Sequence, residues 1–170
     1  MLVIAETSIS IRTSAEELWD YAWDPEHWTA SNPEEHFGLE FHTADNRPAA
    51  GATFRQRESV AGAYADMTGH FLVVERPKML VWAGVARYPL LKGVLNARIP
   101  EGGVIRVVDV DDGVRISHDV YMDFPQTPLG KLLYRLFTGR LEGQKAVYEH
   151  TYKELAYFKS QLESAGSSAV

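Results

Sequence analysis

Between Val3 and Ile11 the odd positions Val3, Ala5, Thr7, Ile9 and Ile11 are mostly apolar, while Glu6, Ser8, Ser10 and Arg12 alternate with them. That period of two predicts a strand with one buried face. Ser14-Ala15-Glu16-Glu17 then reads as a capping box opening a short helix that carries Leu18, Trp19 and Ala22. Asp24-Pro25 supplies a second N-cap, with proline at the first helical position, for a short helical turn containing Trp28.

A long run of alternating segments follows. It predicts strands near 36–43, 52–60, 63–75, 79–88, 103–110 and 113–124, separated by turn signals at Asn46-Arg47-Pro48, Ala61-Gly62, Arg76-Pro77-Lys78, Glu101-Gly102-Gly103 and Asp111-Asp112-Gly113. In the final strand Val114, Ile116, His118, Val120, Met122 and Phe124 share one face, opposite Arg115, Ser117, Asp119, Tyr121 and Asp123. One wet and one buried face is the pattern of an antiparallel meander. After Pro125 the period becomes helical. Thr127 and Pro128 start a helix expected to reach about Leu162, with Gly139 and Gly143 weakening its middle enough for a bend. The expected organisation is one domain over 1–162 and a disordered tail over 163–170.

The opening segment from Thr7 to Asp20, TSISIRTSAEELWD, followed by Asp24-Pro-Glu-His-Trp28, resembles the start of the START-like (SRPBCC, Bet v 1-like) superfamily. Leu18-Trp19 and Asp24…Trp28 fit that pattern, while Thr13-Ser14 stands where Ala-Pro is common. The resemblance extends to the element order and is nearest to polyketide cyclase/dehydrase and lipid-transport-like proteins. It implies an α+β helix-grip fold: a curved antiparallel sheet of about seven strands, two short helices after the first strand, and a long C-terminal helix over the concave face. It also implies an internal cavity for a small, largely hydrophobic molecule such as a polyketide, lipid, sterol or aromatic. The fold hosts aromatase/cyclases as well as non-catalytic carriers and sensors, so the resemblance leaves catalysis open.

Within that frame His118 is the first candidate for chemistry, because it points inward from an apolar row; its alternative is a core histidine satisfied by a neighbouring group. Arg140 and Gln144 fall on the wheel within the apolar stripe of Leu133, Phe137, Thr151 and Leu155, making Arg140 an anchor for an anion or enolate, or else an arginine reaching out to water. Tyr64, Asp66, Thr68 and His70 share one face, and burial alone puts that face outside, since Ala63, Ala65, Met67 and Phe71 form the apolar row. Cyclases of the family carry an inward polar row on the equivalent strand, which keeps Tyr64 as a third catalytic candidate. Trp28, Trp82, Tyr88, Met122, Phe137, Gln144 and Tyr148 are the expected ligand-binding residues, and Tyr88 to Gly93 is a gating loop or a plain crossover.

Composition narrows the classes. The chain has 170 residues, 45% of them hydrophobic and 24% charged, and no cysteine, so thiolate nucleophiles, disulfides and zinc–thiolate sites are excluded. With 17 basic and 23 acidic residues the formal charge is −6, which repels phosphate backbones and argues against nucleic acid. The start lacks a basic leader and no apolar run approaches a membrane span, so the expected location is the cytoplasm, as a monomer or homodimer without cofactor. His36, Glu40 and His42 share a face opposite Phe37, Leu39 and Phe41, which predicts a solvated face and no metal site.

Overall fold

The computed structural model describes residues 1–167. Seven antiparallel strands form one sheet in the order β1-β7-β6-β5-β4-β3-β2. They are β1 Leu2–Ile11, β2 His36–Phe41, β3 Thr53–Val60, β4 Ala63–Glu75, β5 Met79–Leu90, β6 Leu95–Val110 and β7 Gly113–Asp123. Helices α1 (Ala15–Ala22) and α2 (Pro25–Ser31) lie between β1 and β2, the two edges of the sheet. Helix α3 (Pro128–Arg135), a π-turn over Leu136–Arg140 and helix α4 (Gly143–Ser167) complete the chain. The expected helix-grip α+β architecture is observed.

Local chemistry accounts for the starts and stops. The Ser14 hydroxyl accepts from the Glu17 amide, and the Glu17 carboxylate accepts from the Ser14 amide, both at 3.2 Å. Asp24 caps α2 through the Glu26 amide at 2.9 Å, and Thr127 caps α3 through the Gly130 amide at 3.1 Å. These bonds satisfy amides that have no partner within their own helix. Val110 pairs with Gly113, whose φ of 112° suits a tight hairpin.

The structure departs from the sequence reading in three places. Strand β6 begins at Leu95, so Glu101-Gly102-Gly103 lies within a strand. Tyr88–Leu90 continues β5, and a single turn at Leu91–Gly93 closes a long β5–β6 hairpin rather than a crossover. The C-terminal helix is two helices: the π-turn and Glu142, at φ 45°, separate α3 from α4. Helix α4 runs to Ser167, past the expected end at Leu162; residues 168–170 of the expected tail lie outside the described residues.

Helix α4 packs chiefly on β1 and faces α1 and α2 across the concave side. Two apolar clusters fill that side. The larger includes Leu18, Trp19, Phe41, Phe54, Phe71, Leu80, Ile116, Leu155 and Phe158. The smaller includes Val3, Ile99, Met122, Phe124, Phe137 and Val147. Each fully buried aliphatic or aromatic side chain contributes about 1.5–3 kcal/mol relative to exposure, so the clusters supply much of the driving force for folding.

Candidate functional site

Between the two apolar clusters lies a belt of buried polar side chains drawn from four parts of the chain. β2 contributes His36, β3 contributes Glu58, β7 contributes His118, and α4 contributes His150 and Glu154. A buried polar group without a partner costs several kcal/mol, so the partners in this belt decide what it can do.

The centre of the belt is tightly knit. His36 Nε2 lies 3.2 Å from His150 Nε2 and 3.1 Å from Glu154 Oε1. His150 Nε2 also lies 3.2 Å from Glu58 Oε2 and 3.4 Å from Glu154 Oε1. The far nitrogens point outward. His36 Nδ1 sits 2.7 Å from the Trp28 carbonyl oxygen, and His150 Nδ1 sits 2.7 Å from Glu35 Oε2. The Trp28 ring stacks on His36, and its indole N–H donates to Glu154 Oε1 at 3.2 Å.

The electrostatics follow from this crowding. Burial opposes a charged His150, but hydrogen bonds to Glu154 and Glu58, with their negative charges, push its pKa up to about 11. Burial likewise opposes ionisation of Glu154, yet bonds with His150 and His36 hold its carboxyl well below the usual range. Glu58 is held down in the same way by His150.

Two cavities adjoin the belt, of about 80 Å³ and about 50 Å³. The larger is walled by aromatic side chains such as Trp19, Trp23, Phe54 and Phe71. The smaller touches Glu58, Tyr88, Glu101, Met122, Phe137 and His150. Gln56, Trp82, His118 and Glu154 line both and form the wall between them. The sequence predicts one ligand-sized hollow; the structure divides it into two small lobes.

His118 occupies the strategic position in that wall. Its Nδ1 is 3.9 Å from Glu154 Oε2, and its buried Nε2 has no hydrogen-bond partner among the described residues. Burial lowers its pKa, favouring the neutral ring. On the smaller lobe Tyr88 donates its hydroxyl to Glu101 at 2.5 Å. Burial, reinforced by the charge of Glu58, pushes the Glu101 pKa up to about 8 despite that bond.

Of the residues singled out from sequence, His118, Trp28, Trp82, Tyr88, Met122 and Phe137 line one lobe or both. The other four lie elsewhere. Tyr64 is 39% exposed on the outer face of β4, because Ala65 and Met67 take the inner positions. Arg140 is exposed on the π-turn. Gln144 is exposed too, and its amide donates to the Ile4 carbonyl at 2.7 Å, tying α4 to β1. Tyr148 is 44% exposed and stacks on Tyr152. For Gln144 the cause is the shift of helical phase from α3 to α4. The break at 141–142 resets the helical phase, so a wheel drawn through both helices puts the wrong residues inside.

No family model matches the chain, and neither does any curated protein. Solved structures do. The allergen Ara h 8.0201 superposes with a TM-score of 0.64 at 11% identity, covering 96% of this chain and 99% of that one. A START superfamily protein from Mycobacterium smegmatis gives 0.61 at 12% identity over 96% and 99%. The di-domain ARO/CYC StfQ from the steffimycin biosynthetic pathway gives 0.67 at 10% identity, over 98% of this chain and 53% of that one. The fold is START-like. At these identities the likeness speaks for architecture alone.

Within the START-like grip, the sequence pattern puts His36 on a solvated face and does not bring Glu58, His150 and Glu154 together with it, for two reasons. Strict alternation places His36 opposite Leu39 and Phe41. A β-bulge between His36 and Gly38 instead turns Phe37 outward, 49% exposed, and buries His36. The predicted solvated face therefore holds only for Glu40 and His42. On α4 a signal was present: Val147, His150, Thr151, Glu154, Leu155 and Phe158 recur at helical spacing and are all buried. A stripe defined by apolar residues alone leaves out His150 and Glu154. Among the described residues, no helix is long and apolar enough to cross a membrane.

Proposed function

We propose that this protein binds a small, largely hydrophobic molecule inside the grip, with a polar atom of the ligand bonded to His118. The observation that carries the reading is the unpartnered Nε2 of His118 in the wall shared by both lobes. A ligand polar group there removes a desolvation penalty of about 1–3 kcal/mol. The aromatic walls of the larger lobe suit an apolar ring system. A ligand spanning both lobes requires Gln56 or Trp82 to swing aside, so compact ligands enter most easily. Native mass spectrometry of freshly purified protein, followed by thermal shifts with a panel of quinones, flavonoids, sterols and acyl chains, tests this. A co-purifying molecule or a raised Tm that His118→Ala abolishes is expected. No stabilisation by any member of the panel, with no bound molecule, overturns it.

A catalytic version, of the aromatase/cyclase type, is favoured by one pairing. Glu101, with a pKa of about 8, holds a proton near neutral pH, while neutral His118 can accept one, and both face the smaller lobe. Arg140 and Tyr64 have no part in it from their exposed positions. The chain then cyclises a poly-β-ketone with an altered product profile in both Glu101→Gln and His118→Ala. Identical profiles in wild type and both variants leave the carrier reading in place.

A further inference from the structure

We propose that His36, Glu58, His150 and Glu154 form a binding site for one divalent transition-metal ion of the zinc type. Nε2 of each histidine and one oxygen of each carboxylate all lie within 4.8 Å of one another. Four of the six separations in the group match the edges of a zinc-sized tetrahedron: 3.2 Å between the two Nε2 atoms, 3.1 and 3.4 Å from them to Glu154, and 3.2 Å from His150 to Glu58. Ligands bound to zinc at about 2.0–2.1 Å in tetrahedral geometry sit about 3.3 Å apart, so an ion fits among these atoms with little movement.

Hydrogen-bond roles strengthen the assignment. A carbonyl oxygen only accepts, so His36 Nδ1 facing the Trp28 carbonyl carries the proton. Glu35 accepts in the same way from His150 Nδ1. With both outer nitrogens protonated, the two Nε2 atoms are turned towards each other and towards two carboxylates. A single extra proton on His150 must be shared among His36, Glu58 and Glu154, and one N–H cannot point at all three. A dication faces all four ligands at once and balances the two carboxylate charges. The outer partners match the usual surroundings of a metal-bound histidine, whose second nitrogen donates to a carboxylate or a backbone carbonyl. The indole of Trp28 fixes the Glu154 oxygen from a further side.

The sequence pattern agrees with this role. His150 and Glu154 are one helical turn apart on α4 and project together, while the extra residue of the β2 bulge brings His36 round to meet them. The chain has no cysteine to offer a thiolate, and mixed imidazole and carboxylate donors favour zinc and its first-row neighbours. The ion site shares Glu154 with the wall of both cavities, yet it does not depend on any ligand occupying them.

The test uses the full chain without a polyhistidine tag, stripped with chelator and titrated with Zn²⁺ by calorimetry. Co²⁺ serves as a parallel spectroscopic probe. One saturable equivalent and the strong visible absorption of four-coordinate Co²⁺ are expected. Glu154→Gln and His150→Gln should lose the site, with folding followed by circular dichroism. Glu35→Gln leaves all four ligands in place and should weaken Zn²⁺ by about 10–100-fold, which holds even if a ligand variant fails to fold. His42→Ala, on the outer face, should change nothing. Absence of saturable binding to wild type, or binding equally tight in Glu35→Gln and Glu154→Gln, overturns the assignment without touching the apolar-ligand reading.

Discussion

The indole of Trp28 lies flat on the imidazole of His36, with ring centroids 3.6 Å apart and planes 9° from parallel. The same indole donates its N–H to Glu154. One side chain thus clamps a strand residue and a helix residue across the concave face. Trp28→Phe keeps the stacking surface and removes the donor to a buried carboxylate. We expect a loss of about 1.5–3 kcal/mol in urea unfolding, the usual worth of a hydrogen bond to a charged group. A change under about 0.5 kcal/mol would show that the bond does not matter to stability.

Glu101 makes stability fall as pH rises. Its carboxyl titrates at about 8 in the folded chain and near the ordinary value of 4.5 when unfolded. Between those values the native state binds more protons, so its advantage shrinks with every added pH unit. Tyr88 faces the carboxyl directly, and the charge of Glu58 adds to the effect of burial. Glu101→Gln stays neutral and should flatten the decline, leaving the variant with a higher Tm than wild type at pH 8. Parallel Tm curves from pH 5 to 9 would contradict this.

The opposite slope is expected from Asp66. Arg55 donates to both of its oxygens at 2.9 Å, and Arg87 adds a bond at 3.3 Å. The hydrogen bonds from Arg55 hold its pKa below the ordinary value of 3.8. Its contribution is complete above about pH 4, the unfolded value, and fades as pH falls through the depressed folded value. Because Arg55 and Arg87 are largely solvated, Asp66→Asn should cost only about 1 kcal/mol at pH 7. The difference from wild type should vanish at the acid end of an unfolding series, and a constant gap there would rule this linkage out.

Gly143 is the seat of an aromatic ring. A Cβ built there would overlap the Phe137 ring, and Phe137 anchors the smaller apolar cluster. Alanine, a better helix former, should therefore destabilise rather than help. We expect Gly143→Ala to cost about 1–3 kcal/mol by overpacking. Gly139 has nothing within 4 Å of its Cβ position, so Gly139→Ala is the matched control and should be neutral or stabilising.

Much of the architecture was written in local signals. The caps at Ser14, Asp24 and Thr127, the Asp112-Gly113 hairpin and the inward row through His118 all form as the residues dictate, because each rests on contacts a few positions apart. Leu95 to Glu101 was illegible, since Pro100 and the glycines at 102 and 103 look like turn residues, yet they pair with β5 as a strand. The polar belt was harder still. Its members come from β2, β3, β7 and α4, and only the folded chain brings Glu58 to His150 or His36 to Glu154. Burial of a charged side chain is improbable when each is judged alone, so a reading by hydropathy sends such residues to the surface.

The bulge at His36–Gly38 absorbs one extra residue without disturbing the cluster. The surplus residue, Phe37, is taken up in the bulge, so His36 keeps its place opposite Glu58 while Leu39 and Phe41 keep their inward places. A chain lacking Phe37 would regain unbroken alternation with the imidazole still inward, whereas one that kept Phe37 in a regular strand would lose a corner of the four-sided cluster. A gain or loss of one residue at this locus is therefore compatible with the same inward imidazole, provided that the bulge comes and goes with it.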